Sequence, residues 1–187
     1  MKKILLLLLA VAVSFSFSCS SSNKSSSNKN VKVENKTSQD TTWSTIDYHY
    51  RTGTVSPEYY YHYRVLINYD KTAQFIFYPS YADTGFSQEQ FTISDSQLKS
   101  LTDAIVNSNV LEGNIKEETD HPIGGPTESM TITIVNPDPN LDQSPVRIEV
   151  PAFPTMEYKE GLVKVYSVIY SLLPAGMLDE AKSKNGK

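Results

Sequence analysis

Residues 59–79 read YYYHYRVLINYDKTAQFIFYP, and the alternation inside this stretch decides the fold. Tyr59, Tyr61, Tyr63, Val65, Ile67 and Tyr69 share one face of an extended chain, while His62, Arg64 and Asn68 share the other. Side chains on a strand alternate with period two, so this pattern predicts a strand with one buried face. Asp70, Lys71 and Thr72 then turn the chain, and Ala73, Phe75 and Phe77 bring it back as far as Pro79. Upstream, Ile46, Tyr48 and Tyr50 alternate with Asp47, His49 and Arg51, which predicts a strand before these two and an antiparallel meander of three.

Working outward toward the C-terminus, Ser94 followed by Gln97 is a capping-box pair, and Ile93 is placed to staple against Leu98. Leu98, Leu101 and Ile105 recur at helical spacing, and Asn109 is suited to the left-handed residue that ends a helix. A polar loop over residues 112–129 follows. Met130, Ile132 and Ile134 then alternate with threonines, and Val146, Ile148 and Val150 with Arg147 and Glu149, which predicts a hairpin across residues 136–145. After Pro154 a second helix is expected, capped by Thr155 and carrying Glu157 at its positive end. Tyr158, Leu162, Val165, Tyr166, Ile169, Leu172 and Leu173 form its stripe, and Pro174 stops it. The order β-β-β-α-β-β-α is that of an α+β domain, an antiparallel sheet with two helices packed on one face. The domain is expected over residues 43–178, and residues 179–187 are expected to fray.

About 135 residues in that domain are enough for one core and too few for two. Twelve tyrosines and seven phenylalanines supply its bulk, and with one cysteine in the whole chain no internal disulfide is available. The formal net charge of −4 argues against a nucleic-acid partner, because phosphate neutralisation needs a basic surface.

The chain opens with Met1, Lys2 and Lys3, then runs from Ile4 to Val13 without a charge, and reaches Cys19 through Ser14, Phe15, Ser16, Phe17 and Ser18. Such a run is too short for the roughly 20 apolar residues of a membrane span and reads as a signal peptide over residues 1–18. With Cys19 directly behind it and serines following, the segment resembles bacterial lipoprotein precursors. That resemblance implies diacylglycerol on the Cys19 thiol, cleavage just before it, acyl chains such as palmitate in a membrane, and a place in the cell envelope at the outer membrane or cell surface. Ser18 fits the family's pattern, whereas Ser16 and Phe17 depart from it. Ser16 and Ser18 also suit an ordinary signal peptidase, so cleavage without lipid stays open. Residues 19–42, rich in Ser, Asn, Lys and Thr, cannot bury enough apolar area to order themselves and are expected to be a tether.

Candidate chemistry is sparse. If the first two strands pair His49 with His62, Asp47 falls opposite Arg64, and His49, His62 and Asp47 become candidate metal ligands for a metal-dependent hydrolase. A solvated face with a cross-strand ion pair explains the same residues. Asp138, Asn140, Asp142 and Glu149 match calcium-loop spacing, but Gln143 stands where the loop needs glycine. The stretch from Glu117 to Pro126, with Gly124 and Gly125, neither follows a strand nor opens a helix, so it is no phosphate cradle. Tyr60, Tyr78 and Tyr81 are expected to be exposed, where they could meet a partner.

With no catalytic set and no cofactor called for, the expectation is an envelope lipoprotein whose domain is a non-catalytic binding or accessory module. Its membrane contact would run through the lipid, with a further protein as a possible partner. The order of elements also resembles small secreted inhibitors of thermolysin-type metalloproteases, the emfourin-like proteins, in layout and without a matched inhibitory motif. That resemblance implies a protease-inhibitor module as an alternative to the hydrolase.

Overall fold

The alternating stretch does form two paired strands, and the rest of the sheet is laid down on either side of them. The structure, a computed structural model, describes residues 43–121, 123–135 and 144–187. Its elements are β1 (Trp43–Arg51), β2 (His62–Asn68), β3 (Thr72–Tyr78), β4 (Ser87–Thr92), α1 (Asp95–Asn107), a 3-10 turn (Val110–Glu112), β5 (Thr127–Ile134), β6 (Val146–Val150), α2 (Met156–Leu172) and α3 (Met177–Lys184). The protein is an α+β domain built on a six-stranded sheet in the order β4-β3-β2-β1-β5-β6, with every neighbouring pair antiparallel. The chain meanders outward from β1 to β4, then crosses by way of α1 to place β5 against the other side of β1.

Period-two alternation sorts the sheet into two faces. Ile46, Tyr48, Val65, Ile67, Phe75, Phe77, Met130, Ile132, Ile148 and Val150 are buried on one of them. Leu101 and Ile105 of α1 and Leu162, Val165, Tyr166, Ile169 and Leu172 of α2 join them in a single core. Each fully buried aliphatic or aromatic side chain contributes about 1.5–3 kcal/mol, so this face supplies most of the driving force. At the start of α1 both halves of the Ser94–Gln97 capping box are formed. Asn109, just past the Ser108 C-cap, takes the left-handed conformation at φ 60° that ends the helix.

Five expectations need correction. First, β1 and β2 are paired two residues away from the expected register: Arg51 opposes His62, His49 opposes Arg64, and Asp47 opposes Leu66. The loop between the strands sets this register, through Thr52 N–H and its hydroxyl donating to the Tyr61 carbonyl. Second, β4 is an extra strand. Its sequence SQEQFT has no apolar alternation, and only its backbone pairing to β3 makes it a strand. Third, the tail does not fray over its whole length, since Met177–Lys184 is a helix anchored by buried Met177 and Ala181, making three α-helices among the described residues. Fourth, Thr155 stands at the N-cap of α2 without capping it, because its hydroxyl turns to the Glu157 carboxylate. Fifth, Tyr60 and Tyr78 are buried, while Tyr81 is exposed as expected. The segment after β3 folds back, so that Tyr81 stacks on Tyr60 and Phe86 packs against Tyr78.

Candidate functional site

The tyrosines that build the core also line a tyrosine-walled opening. Alternation sends Tyr48 and Tyr50 of β1, Tyr63 of β2 and Glu128 of β5 to the same face, and the registers Tyr50–Tyr63 and Tyr50–Glu128 set three of them in one row across three strands. Opposite them, Val163, Tyr166, Ser167 and Tyr170 recur at three- and four-residue spacing along one stripe of α2. Leu178 and Lys182 of α3 close the side. The result is a cavity of about 450 Å³ at the end of the sandwich.

Its walls are packed rings. Tyr50 is stacked between Tyr63, at 4.9 Å, and Tyr61, at 6.0 Å between ring centres. Tyr48 tilts against Tyr166 at 5.3 Å. The Lys182 ammonium sits over the Tyr61 ring, 4.8 Å from its centre.

The polar groups converge on one carboxylate. The Tyr48 hydroxyl donates to Glu128 Oε1. Burial pushes the Tyr48 phenol far above its ordinary value, with Tyr63 and Glu128 adding to the effect. Burial does the same to Tyr63 and to Tyr166, where the Glu128 charge again adds. Tyr50 is pushed up to about 12, by burial first and then by Tyr61 and Glu128. All four phenols therefore keep their protons at neutral pH and act as hydrogen-bonding groups, not as bases or nucleophiles.

Two groups of this pocket are incompletely matched. The Tyr166 hydroxyl is buried and makes no hydrogen bond within the described residues. Glu128 forms no ion pair there either. A buried hydroxyl left unbonded costs about 1–3 kcal/mol, and among the described residues only His62 Nε2 shares that condition.

The residues singled out in the sequence lie on the opposite face of the sheet. Arg64 grips Asp47 through both Nε and Nη2, and His49 Nε2 lies 3.1 Å from Asp47 Oδ1. Burial opposes ionisation of Asp47, yet the bonds from His49 and Arg64 together hold its carboxyl below the ordinary value. His62 is drawn away from this cluster. It stacks on Tyr78 at 4.4 Å, and its Nε2 lies 3.4 Å from Asp83 without a hydrogen bond. Burial lowers its pKa, with Asp83 pulling the other way. His49, His62 and Asp47 are thus divided between two clusters, and among the described residues no three metal-ligating side chains come together.

The sequence matches no protein-family model and no curated protein.

The remaining candidates are placed as follows. The segment from Glu117 to Gly125 is pinned to the chain before α2: Glu118 N–H donates to the Phe153 carbonyl, Thr155 N–H to the Lys116 carbonyl, and His121 stacks flat on Phe153 at 4.1 Å. Gly53 lies so close to Gly125 that a Cβ would fall 1.9 Å from the Gly125 oxygen. Cys19 and the calcium-spaced Asp138, Asn140 and Asp142 lie outside the described residues, while Glu149 bonds Thr131 across the sheet. No single helix among the described residues is long and apolar enough to cross a membrane.

Sequence reasoning placed Tyr48, Tyr50, Tyr61, Tyr63 and Tyr166 in the core but did not find the pocket they share. Glu128 was missed. A carboxylate at an inward position, two residues before Met130, is the signal that would have marked it.

Proposed function

We propose that this chain is an exported lipoprotein, held on a bacterial envelope membrane by lipid on Cys19, whose folded domain is a non-catalytic binding module with the tyrosine pocket as its site. The charged start, apolar run and cysteine of residues 1–19 support the address. The observation that carries the binding role is an open cavity lined both by Tyr166, whose hydroxyl is buried and unbonded, and by Glu128, a carboxylate with no ion pair among the described residues. A ligand supplying the missing hydrogen bond recovers what the free protein forgoes. Binding is favoured over catalysis because the pocket is lined by protonated phenols, with neither histidine nor cysteine among its lining residues.

Thermal unfolding of the full chain against a panel of small cations, anions and sugars tests the binding role. At least one class should raise the melting temperature of the wild type and lose that effect in Val163→Trp, which plugs the mouth of the pocket. A panel with no such class removes the proposal. The mass of the mature N-terminus tests the anchor, and an unmodified Cys19 thiol would end it.

A further inference from the structure

Resting on that reading, we infer that the tyrosine pocket takes the ammonium group of a primary alkylamine, with Glu128 as its counter-ion and Tyr166 as a second hydrogen-bonding partner. The charge balance comes first. A half-buried carboxylate with only neutral hydroxyl partners carries an uncompensated charge, and an arriving cation neutralises it where a sugar would leave it in place and an anion would oppose it. Of the four or so lone-pair positions on a carboxylate, Tyr48 uses one. A primary ammonium brings three donors, enough for Glu128, for the Tyr166 oxygen and for one further phenol.

The walls are suited to the same guest. Tyrosine ring faces attract cations through their quadrupole, and this wall already holds one: Lys182 lies over Tyr61 at the rim. Val163 and Leu178 offer apolar surface for an alkyl stem. A volume of about 450 Å³ accommodates a chain of lysine length. The stem and head could belong to a free amine or to a lysine side chain of a peptide, and the chemistry is shared.

Calorimetric titration of the full chain decides between these and against the other classes. The probes are pentane-1,5-diamine, Nα-acetyl-lysine amide, the same amide acetylated at Nε, glutarate and methyl glucoside. One or both amines should bind, and Nε-acetylation should abolish binding of the lysine amide. Binding of the diamine alone marks a free amine as the source, and binding of the lysine amide marks a peptide side chain. Glu128→Gln should weaken the amine at least tenfold and Tyr166→Phe several-fold. Should Glu128→Gln fail to fold, Val163→Trp provides the same comparison from the exposed rim.

If methyl glucoside or glutarate binds and is displaced by Val163→Trp while both amines do not bind, the ammonium assignment is overturned and the binding role survives. If amines bind equally well to wild type, to Glu128→Gln and to Val163→Trp, the assignment is overturned as well. If no probe binds and the wider panel is silent, both fall.

Discussion

Gly161 of α2 lies directly against the backbone of Ser108 at the end of α1: a Cβ on Gly161 would stand 2.7 Å from Ser108 Cα and 2.9 Å from its Cβ. Ser108 is buried there, its hydroxyl bonded to the Ile105 carbonyl. Alanine would improve the intrinsic helix propensity at position 161 by about 1 kcal/mol. Overpacking against backbone that cannot move aside costs about 1–3 kcal/mol, so the clash wins. Urea denaturation of Gly161→Ala should show a net loss of stability, and a gain would mean that the two helices are not in this contact.

Tyr166→Phe separates stability from binding. Removing a buried hydroxyl with no partner relieves a penalty of about 1–3 kcal/mol without opening a cavity. The unliganded variant should therefore melt no lower than the wild type, and calorimetry or fluorescence melting checks this. A clear fall in melting temperature would show that the hydroxyl is bonded in the free protein.

The buried phenols set a limit at alkaline pH. Tyr48, Tyr50, Tyr63 and Tyr166 all have folded-state pKa values raised above those of an unfolded chain, so the folded state retains protons that the unfolded state gives up. Their contribution is fully present below about pH 10, the ordinary tyrosine value, and is lost as pH rises from there toward the raised values. Absorbance titration near 295 nm should show one group of tyrosines ionising smoothly and another ionising only with unfolding.

The Asp47 cluster acts at the other end of the scale. Its folded pKa is depressed, so its contribution is present above the ordinary aspartate value and is lost as pH falls through the lower folded value. Asp47→Asn should cost about 1 kcal/mol near neutrality, the charged hydrogen bonds to Arg64 and His49 being partly screened by solvent. The difference between variant and wild type should shrink below about pH 4, which a set of denaturation curves across pH would reveal.

Met177→Ala probes the last helix. Met177 is buried beneath α3, which also carries the pocket residues Leu178 and Lys182. Truncating it should cost roughly 2 kcal/mol, at the low end for a buried methionine because the short helix around it can settle into the space. Amide exchange over residues 178–184 should quicken more than exchange in β1, since α3 is short and buries only Met177 and Ala181. Equal acceleration everywhere would mean that α3 is integral to the cooperative core.

Much of this fold could be read directly from the residues. Alternation located five of the six strands, and helical spacing located α1 and α2 with their buried stripes, because both patterns report local geometry facing a water-excluded side. The edge strand β4 escaped because SQEQFT buries little and lacks apolar alternation, its place being set mainly by backbone pairing to β3. The tail helix escaped because a short segment with lysines offers few apolar positions, and Met177 and Ala181 acquire their burial only from what they pack on.

What the amino-acid order settled alone was the type of each strongly patterned element and which of its faces turns inward, since those depend on neighbours within a few positions. Tertiary structure decided the register of β1 on β2, the separation of His49 from His62, and the meeting of residues from position 48 to position 182 around one cavity. The physical reason is distance along the chain. Pairing β1 with β5 and closing α2 and α3 over them spends loop entropy to join groups that no local pattern connects, so the environment of Glu128 and Tyr166 exists only once the whole domain has formed.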